Sequence, residues 1–392
     1  MHSKTTRSRS ARVVFDAICA QCAIATTVPY PIIAFEARIA SRPKNAAMDV
    51  VWWEAPSQER PAAIGFVDQR LLPHEVIRSR AETVDEAVAA IAGLGVRGAP
   101  AIGVFGGYGI ALARMLHADA DEFARAVTRI RNARPTAVNL AWAVDRVLAI
   151  ASDAYLDEAL AIQEEQRAVD RAMGEYGAEL MPLSGAVLTH CNTGPLATAG
   201  YGTALGVIIA AHERGRKLHV YVDETRPLLQ GARLTTFELA RAGVPATLIA
   251  DGAAAATMRA KNVRAVIVGA DRIATNGDTA NKIGTFGVAV AAAHLGIPFY
   301  IAAPRSTIDF SLRDGNGIHI EERDGAELRA IGGMRVAPSD IPVYNPAFDV
   351  TPGRLIAGIV TEYGVSRPPY DESIPDLATR PPFGALLAAK NA

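Results

Sequence analysis

A thiol and a carboxyl each follow a short apolar run in this chain. In Ala186-Val-Leu-Thr-His-Cys-Asn-Thr-Gly-Pro195, five residues that read as a buried strand end in Cys191, and a Gly-Pro helix start follows. Val266-Ile-Val-Gly-Ala-Asp271-Arg272 repeats the arrangement with an acid. In an open α/β sheet, ligands bind outside the carboxyl ends of the strands. A thiol there can carry a proton or act as a nucleophile, and a nearby helix N-terminus is expected to lower its pKa toward the thiolate. A carboxyl there serves as general acid or base if its pKa is raised. Each residue also has a plainer reading. A free cysteine commonly fills core space, and Asp271 can be an ion-pair member or a helix cap. If both strand ends belong to one sheet, the two groups converge on a substrate.

Arg97-Gly98-Ala99-Pro100 suits an anion. Pro fits the first turn of a helix. Gly98 and Ala99 leave backbone amides accessible at the positive end of the helix dipole, and Arg97 adds a charge. The plainer reading is a tight turn between helices with a surface arginine. Asn276-Gly-Asp278 reads as a turn, and Asn281 and Lys282 read as the opening of a helix before Gly284, with Lys282 a counter-charge for phosphate. Val222-Asp-Glu-Thr-Arg-Pro227 ends a third strand. Gln230 beyond it is placed to bond a hydroxyl, and Glu224 and Arg226 read as partners for each other.

Other patterns point away from common chemistries. Gly93-Leu-Gly-Val-Arg-Gly98 spells G-x-G-x-x-G, but a helix precedes it where the dinucleotide fingerprint needs a strand. Gly200 to Gly206 lies inside a helical run. Neither is read as a nicotinamide site. The eight histidines show no H-x-x-x-H spacing, so no metal site is expected. His190 is expected on the opposite strand face from Cys191, which excludes a Cys–His pair.

The elements that must hold these groups alternate in the second half of the chain. Runs 186–190, 218–222, 245–250, 264–269 and 298–302 read as strands, with helices near 196–213, 232–242, 253–261 and 280–295 between them. That alternation predicts a parallel, Rossmann-like sheet. The first half reads as mostly helical, with a small hairpin within 62–80. Thr83-Val-Asp-Glu86 is a capping box for a helix ending at Gly93 or Gly95, and a second apolar helix runs to about His117. The fold class expected is α/β, with an N-terminal helical domain over 48–180 and a Rossmann-like catalytic domain over 181–392.

With 392 residues, 50% hydrophobic and 21% charged, the chain can bury a large core. A formal net charge of −1 gives no electrostatic case for nucleic acid or an anionic membrane. No uninterrupted apolar run reaches the roughly 20 residues of a spanning helix. Three cysteines make no secreted disulfide framework, so a cytoplasmic setting is expected. Residues 1–47 carry seven Lys/Arg against Asp16 and Glu36 and read as a disordered extension, with a transit peptide as the alternative. Cys19 and Cys22 within it spell C-x-x-C without the surrounding pattern of a redox or zinc site.

Taken together, Val96-Arg-Gly-Ala-Pro-Ala-Ile-Gly103, Arg134-Pro-Thr-Ala-Val-Asn-Leu140, Thr189-His-Cys-Asn-Thr-Gly194, Asp223-Glu-Thr-Arg-Pro227, Gly269-Ala-Asp-Arg272, Asn281-Lys-Ile-Gly-Thr285 and Asn345-Pro-Ala-Phe-Asp-Val-Thr-Pro352 resemble the methylthioribose-1-phosphate isomerases of methionine salvage. The resemblance spans about residues 48–365. It implies a helical N-terminal domain with a small sheet, a Rossmann-like C-terminal domain and a homodimer. It further implies a cofactor-free conversion of 5-methylthioribose 1-phosphate to 5-methylthioribulose 1-phosphate. It implies Asp271 as proton donor and Cys191 as catalytic cysteine, with Arg97, Gly98, Ala99, Arg134, Gln230, Asn281 and Lys282 contacting substrate. The hydrogen at C2 then moves to C1 either as a proton through an enediol or as a hydride. Ribose-1,5-bisphosphate isomerases and the regulatory subunits of the initiation-factor exchange complex are similar alternatives.

Overall fold

The computed structural model describes residues 49–134 and 138–391. The expected extension over 1–47, with Cys19 and Cys22, lies outside the described residues. A small antiparallel sheet comes first, with β1 (Val51–Glu54), β2 (Ala63–Asp68) and β3 (Ile77–Ala81) in that order. β2 and β3 are the expected hairpin, and β1 adds a third strand. The helix α1 (Val84–Ala92) follows, and its capping box forms as the sequence predicts. Thr83 Oγ1 accepts from the Glu86 amide at 3.2 Å, while Glu86 Oε2 accepts from the Thr83 amide at 3.1 Å.

The next helix, α2 (Ala99–Leu116), is the centre of the first layer. It is long and apolar enough to cross a membrane, yet every residue from Ala101 to Ala113 is buried. A helix that is apolar on all sides belongs in a core, and α3 (Ala120–Arg131), α4 (Val138–Leu148) and α5 (Tyr155–Ala178) surround it. Its glycines permit the close approach: a Cβ on Gly106 would lie 2.4 Å from Leu140 of α4.

The second layer is a seven-stranded sheet. In chain order its strands are β4 (Ser184–Thr189), β5 (Lys217–Asp223), β6 (Ala246–Ile249) and β7 (Val263–Val268), then, after the short β8 (Arg272–Ile273) and β9 (Thr279–Lys282), β10 (Phe299–Ala302), and, after the short β11 (Ala330–Ile331), β12 (Met334–Arg335) and β13 (Phe348–Thr351), β14 (Gly358–Thr361) and β15 (Gly364–Ser366). Their order in space is β6-β5-β4-β7-β10-β14-β15, all parallel except β15. The chain therefore starts in the middle, winds outward through β5 and β6, then returns to the other side of β4. The direction of winding reverses between β4 and β7, and in doubly wound sheets that crevice binds the ligand.

Connecting helices cover the two faces. They are α6 (Pro195–Thr198), α7 (Ala204–Glu213), α8 (Thr236–Ala242), α9 (Ala254–Ala260) and α10 (Thr285–His294). One apolar cluster packs α5 and α7 on one face, and another packs α9 and α10 on the other. The cluster around α2 takes in Leu196, Ala199, Leu234 and Phe237 from the sheet layer, which joins the layers without a gap.

Two expected helices differ from the structure. The helix expected over 196–213 is broken between α6 and α7, where Ala199 and Gly202 have φ of 56° and 96°. The buried Asp170 of α5 holds the break by accepting the Tyr201 and Gly202 amides at 2.8 and 2.9 Å. The helix expected over 280–295 starts only at Thr285. Asn281 and Lys282 do not open it; they end β9 (Thr279–Lys282), which pairs with β8 (Arg272–Ile273) on one side and β13 (Phe348–Thr351) on the other.

Candidate active site

A cavity of about 570 Å³ opens at the carboxyl ends of β4 and β7, and Arg97, Gly98, Ala99, Arg134, Cys191, Gln230, Asp271, Asn281 and Lys282 all line it. Cys191 lies two residues beyond β4 and Asp271 three beyond β7, so the winding reversal brings the thiol and the carboxyl to one crevice. The first layer roofs it with Arg97 and Arg134.

The thiol is aimed by its own backbone. Cys191 has φ of 65°, and its amide donates to Thr225 Oγ1 at 2.9 Å while its carbonyl accepts from Thr235 Oγ1 at 2.6 Å. The left-handed backbone turns the chain sharply off the strand. Cys191 is 8% exposed, and burial pushes its pKa up, against the pull of the Arg97 and Lys282 charges. This reverses the expectation of a thiolate favoured by the helix N-terminus: desolvation outweighs the nearby cations and the Asn192 amide, and the resting group is the neutral thiol.

Asp271 is open to the cavity but enclosed by protein behind it. Its amide donates to Ala280 O at 2.9 Å, which fixes it at the base of the β8–β9 ladder. Its carboxyl has no hydrogen-bonding side chain beside it among the described residues. Enclosure pushes its pKa up, opposed by Lys282, Arg134, Arg97 and Arg272. The acid is thus held toward its protonated form. Arg272 does not pair with it; that guanidinium binds Asp309 at 2.7 Å.

The cations are held by neutral partners. Arg97 Nε donates to Gln69 Oε1 at 3.2 Å, and its Nη2 donates to the carbonyl and side-chain oxygens of Asn192. Lys282 Nζ donates to Ala347 O at 2.8 Å and lies 4.5 Å from the centre of the Phe348 ring. Arg134 has no ion-pair partner among the described residues. Burial lowers the pKa of all three, and acids nearby oppose it. Three cations with no acid paired to them among the described residues favour an anionic ligand. Gln230 Oε1 is buried with no hydrogen-bond partner among the described residues, an acceptor suited to a hydroxyl. Asn281 Nδ2 donates to Thr285 Oγ1 at 3.0 Å, which orients its amide.

Gly98 is where the roof meets the floor. Its φ is 91°, and a Cβ there would lie 2.2 Å from the Ala197 carbonyl oxygen. Gly98→Ala is expected to cost roughly 2–4 kcal/mol of stability, from left-handed strain and the clash together. A denaturant titration reads this, and unchanged stability would show that the turn relaxes freely.

Several features differ from expectation or were not anticipated. Arg226 does not pair with Glu224; its guanidinium donates to the carbonyls of Pro227, Glu327 and Leu328. His190 points away from Cys191. Its Nε2–H donates to Ile283 O at 2.9 Å, and its Nδ1 meets Asp223 Oδ2 at 3.0 Å. Burial alone would lower its pKa, but the bond and charge of Asp223, with Asp251 and the Ile283 carbonyl, together raise it. His190, Asp223 and Asp251 stand close enough to hold a metal. Both Asp251 oxygens, however, accept backbone amides, from Thr225 and Arg226 at 2.7 Å each. The set works as a hydrogen-bond network behind the site. Asn192 lines the cavity beside Cys191 and Glu238 lies behind it, and only the adjacency of Asn192 to Cys191 marks either one in the sequence.

A Rossmann-like sheet with a thiol and an acid at its reversal point, under a cluster of cations, is an arrangement suited to an anionic ligand. The chain belongs to the initiation factor 2 subunit family, whose pattern matches residues 95–368. It is 51% identical over 337 residues to the 5-deoxyribose 1-phosphate isomerase of Moorella thermoacetica, covering 82% of this chain and 96% of that one. It is 52% identical over 306 residues to the methylthioribose-1-phosphate isomerase of Heliobacterium modesticaldum, covering 74% and 89%. The crystal structure of 5-methylthioribose 1-phosphate isomerase from Pyrococcus horikoshii matches with a TM-score of 0.80 at 42% identity, covering 87% of this chain and 99% of that one.

Proposed function

We propose that this protein is an aldose–ketose isomerase that converts 5-methylthioribose 1-phosphate to 5-methylthioribulose 1-phosphate in methionine salvage. The observation that carries the mechanism is the convergence of Cys191 and Asp271 on one cavity with Arg97, Arg134 and Lys282. The named relatives support the substrate class.

In the proposed reaction the cations and the Gly98 and Ala99 backbone hold the 1-phosphate, and Gln230 and Asn281 hold hydroxyls. The phosphate ester keeps the sugar ring from opening as a free aldose does. Asp271, whose raised pKa favours the acid form, gives its proton to the ring oxygen, and the ring C–O bond breaks. The hydrogen at C2 moves to C1, and the C2 hydroxyl becomes a carbonyl. Asp271, ionised by the first step, takes the hydroxyl proton and is restored. Cys191 lies against the migrating hydrogen.

The C5 group selects among the alternatives. The cavity wall includes Leu94, Ile102, Val138 and Leu228, which suits a methylthio group or the bare methyl of 5-deoxyribose. A second phosphate needs further cations. Arg323 is already bound to Glu321 and Glu327, and Arg272 to Asp309, which argues against ribose 1,5-bisphosphate. A regulatory scaffold has no use for the thiol and the acid together. We treat residues 48–180 and 181–392 as two domains sharing this site, in a cytoplasmic homodimer. Phe286 and Val290, exposed one turn apart on α10, support an interface.

Side-by-side turnover of 5-methylthioribose 1-phosphate, 5-deoxyribose 1-phosphate and ribose 1,5-bisphosphate tests the assignment. The first two are expected to react and the third to fail. No turnover of either monophosphate would overturn it.

A further inference from the structure

Behind Arg97 runs a chain of polar groups that no part of the proposed reaction uses. Glu238 on α8 is 5% exposed. Its Oε1 accepts the Leu196 amide at 2.7 Å, and its Oε2 accepts from Asn192 Nδ2 at 2.5 Å. Asn192 Nδ2 also reaches Thr235 Oγ1 at 3.1 Å. The other end of the Asn192 amide, Oδ1, faces the Arg97 guanidinium. The polarity of this chain follows from elementary donor and acceptor rules. An ionised carboxylate only accepts, so Asn192 must turn its NH2 toward Glu238 and its oxygen toward Arg97.

We propose that Glu238 is a positioning residue for anion binding, which sets the orientation of the Asn192 amide and through it holds Arg97 toward the cavity. The inference rests on reading Arg97 as a contact to the substrate phosphate. Protonation of Glu238 lets the amide turn over, with its oxygen toward the carboxyl O–H and its NH2 toward Arg97, where two donors face each other. Burial pushes the Glu238 pKa up to about 7, so this change falls within the working pH range. The charged groups bearing on it are Arg97, from the loop before α2, and Arg241 of its own helix, and both favour the ionised form. The Leu196 amide, Asn192 and Thr235 are neutral.

Glu238→Gln imposes the reversed state with almost no change of shape. The Leu196 amide needs an acceptor, so the glutamine oxygen stays there and its NH2 faces Asn192, which must flip. Charge alone predicts the opposite result, since removing a negative group near the cavity favours anions. Sulfate, a dianion throughout pH 5.5–8.5, is the probe, measured as a competitive inhibitor of the isomerase.

In wild-type protein sulfate is expected to bind more weakly as pH falls through about 7. In Glu238→Gln its Ki is expected to be about tenfold higher at pH 8 and free of that weakening, with KM rising and kcat nearly unchanged. Arg97→Ala should raise the Ki by itself, and adding Glu238→Gln to it should add nothing, because coupled residues are not additive. Sulfate binding equal or tighter in Glu238→Gln overturns the inference. So does wild-type binding that holds or tightens on acidification, a result that does not depend on the variant folding. An unchanged Ki in Arg97→Ala overturns instead the phosphate reading on which it rests.

Discussion

Cys191→Ala is expected to lose about a thousandfold or more in kcat while the protein stays folded. Alanine is smaller than cysteine and no worse at φ of 65°, so the loop beyond β4 keeps its course. The thermal midpoint should move by no more than about 3 °C. Turnover beside a melting curve separates the two effects, and near-wild-type turnover would remove the sulfur from the mechanism. Burial that keeps the thiol neutral favours the hydride route, in which the sulfur never ionises. In deuterated solvent the product should therefore carry no deuterium at C1. Deuterium there would assign Cys191 the proton shuttle instead.

Asp271→Asn is expected to be at least as damaging, because it removes the acid that opens the ring. The wild-type pH profile should carry its signature. The carboxyl pKa is raised by enclosure, so the acid form required for ring opening persists above the ordinary carboxylate range. At saturating substrate kcat is then full below the raised pKa and falls as pH climbs through it. The residual activity of Asp271→Asn should lack that falling limb. A variant that retained both the rate and the limb would place the proton donor elsewhere. The substituted amide fills the same volume, so folding is not at issue.

The sequence carries the sheet more plainly than the site. Apolar runs such as Val187 to Thr189 and Val266 to Val268 announce buried parallel strands by themselves, and the Thr83–Glu86 box announces a helix. Asn281 and Lys282 carry no such mark. Thr279-Ala-Asn-Lys is short and polar, and it is a strand because β8 pairs with it on one side and β13, more than sixty residues away, on the other. Pairing of that kind depends on tertiary context more than on local preference. The break after Thr198 is illegible for the same reason, since the carboxyl that stabilises it, Asp170, comes from another helix. The state of the Cys191 thiol follows from how much protein surrounds it, a quantity no local run of residues contains. Glu238 lies mid-helix and gains its importance only from Asn192 and Arg97, which the fold brings to it.

The crowding of Gly98 against Ala197 has a mechanical consequence. The turn beside Arg97 and the segment following Cys191 abut backbone to backbone, with no side chain between them to yield. In the proposed reaction, a shift of the turn at the phosphate meets no side chain that could absorb it before the segment beyond the sulfur. The phosphate and the C1–C2 edge of the sugar, both at one end of the molecule, are thus held in that reaction by backbones in direct contact, and the C5 end is left to the apolar wall. Any opening that admits substrate has to hinge elsewhere along the cavity rim.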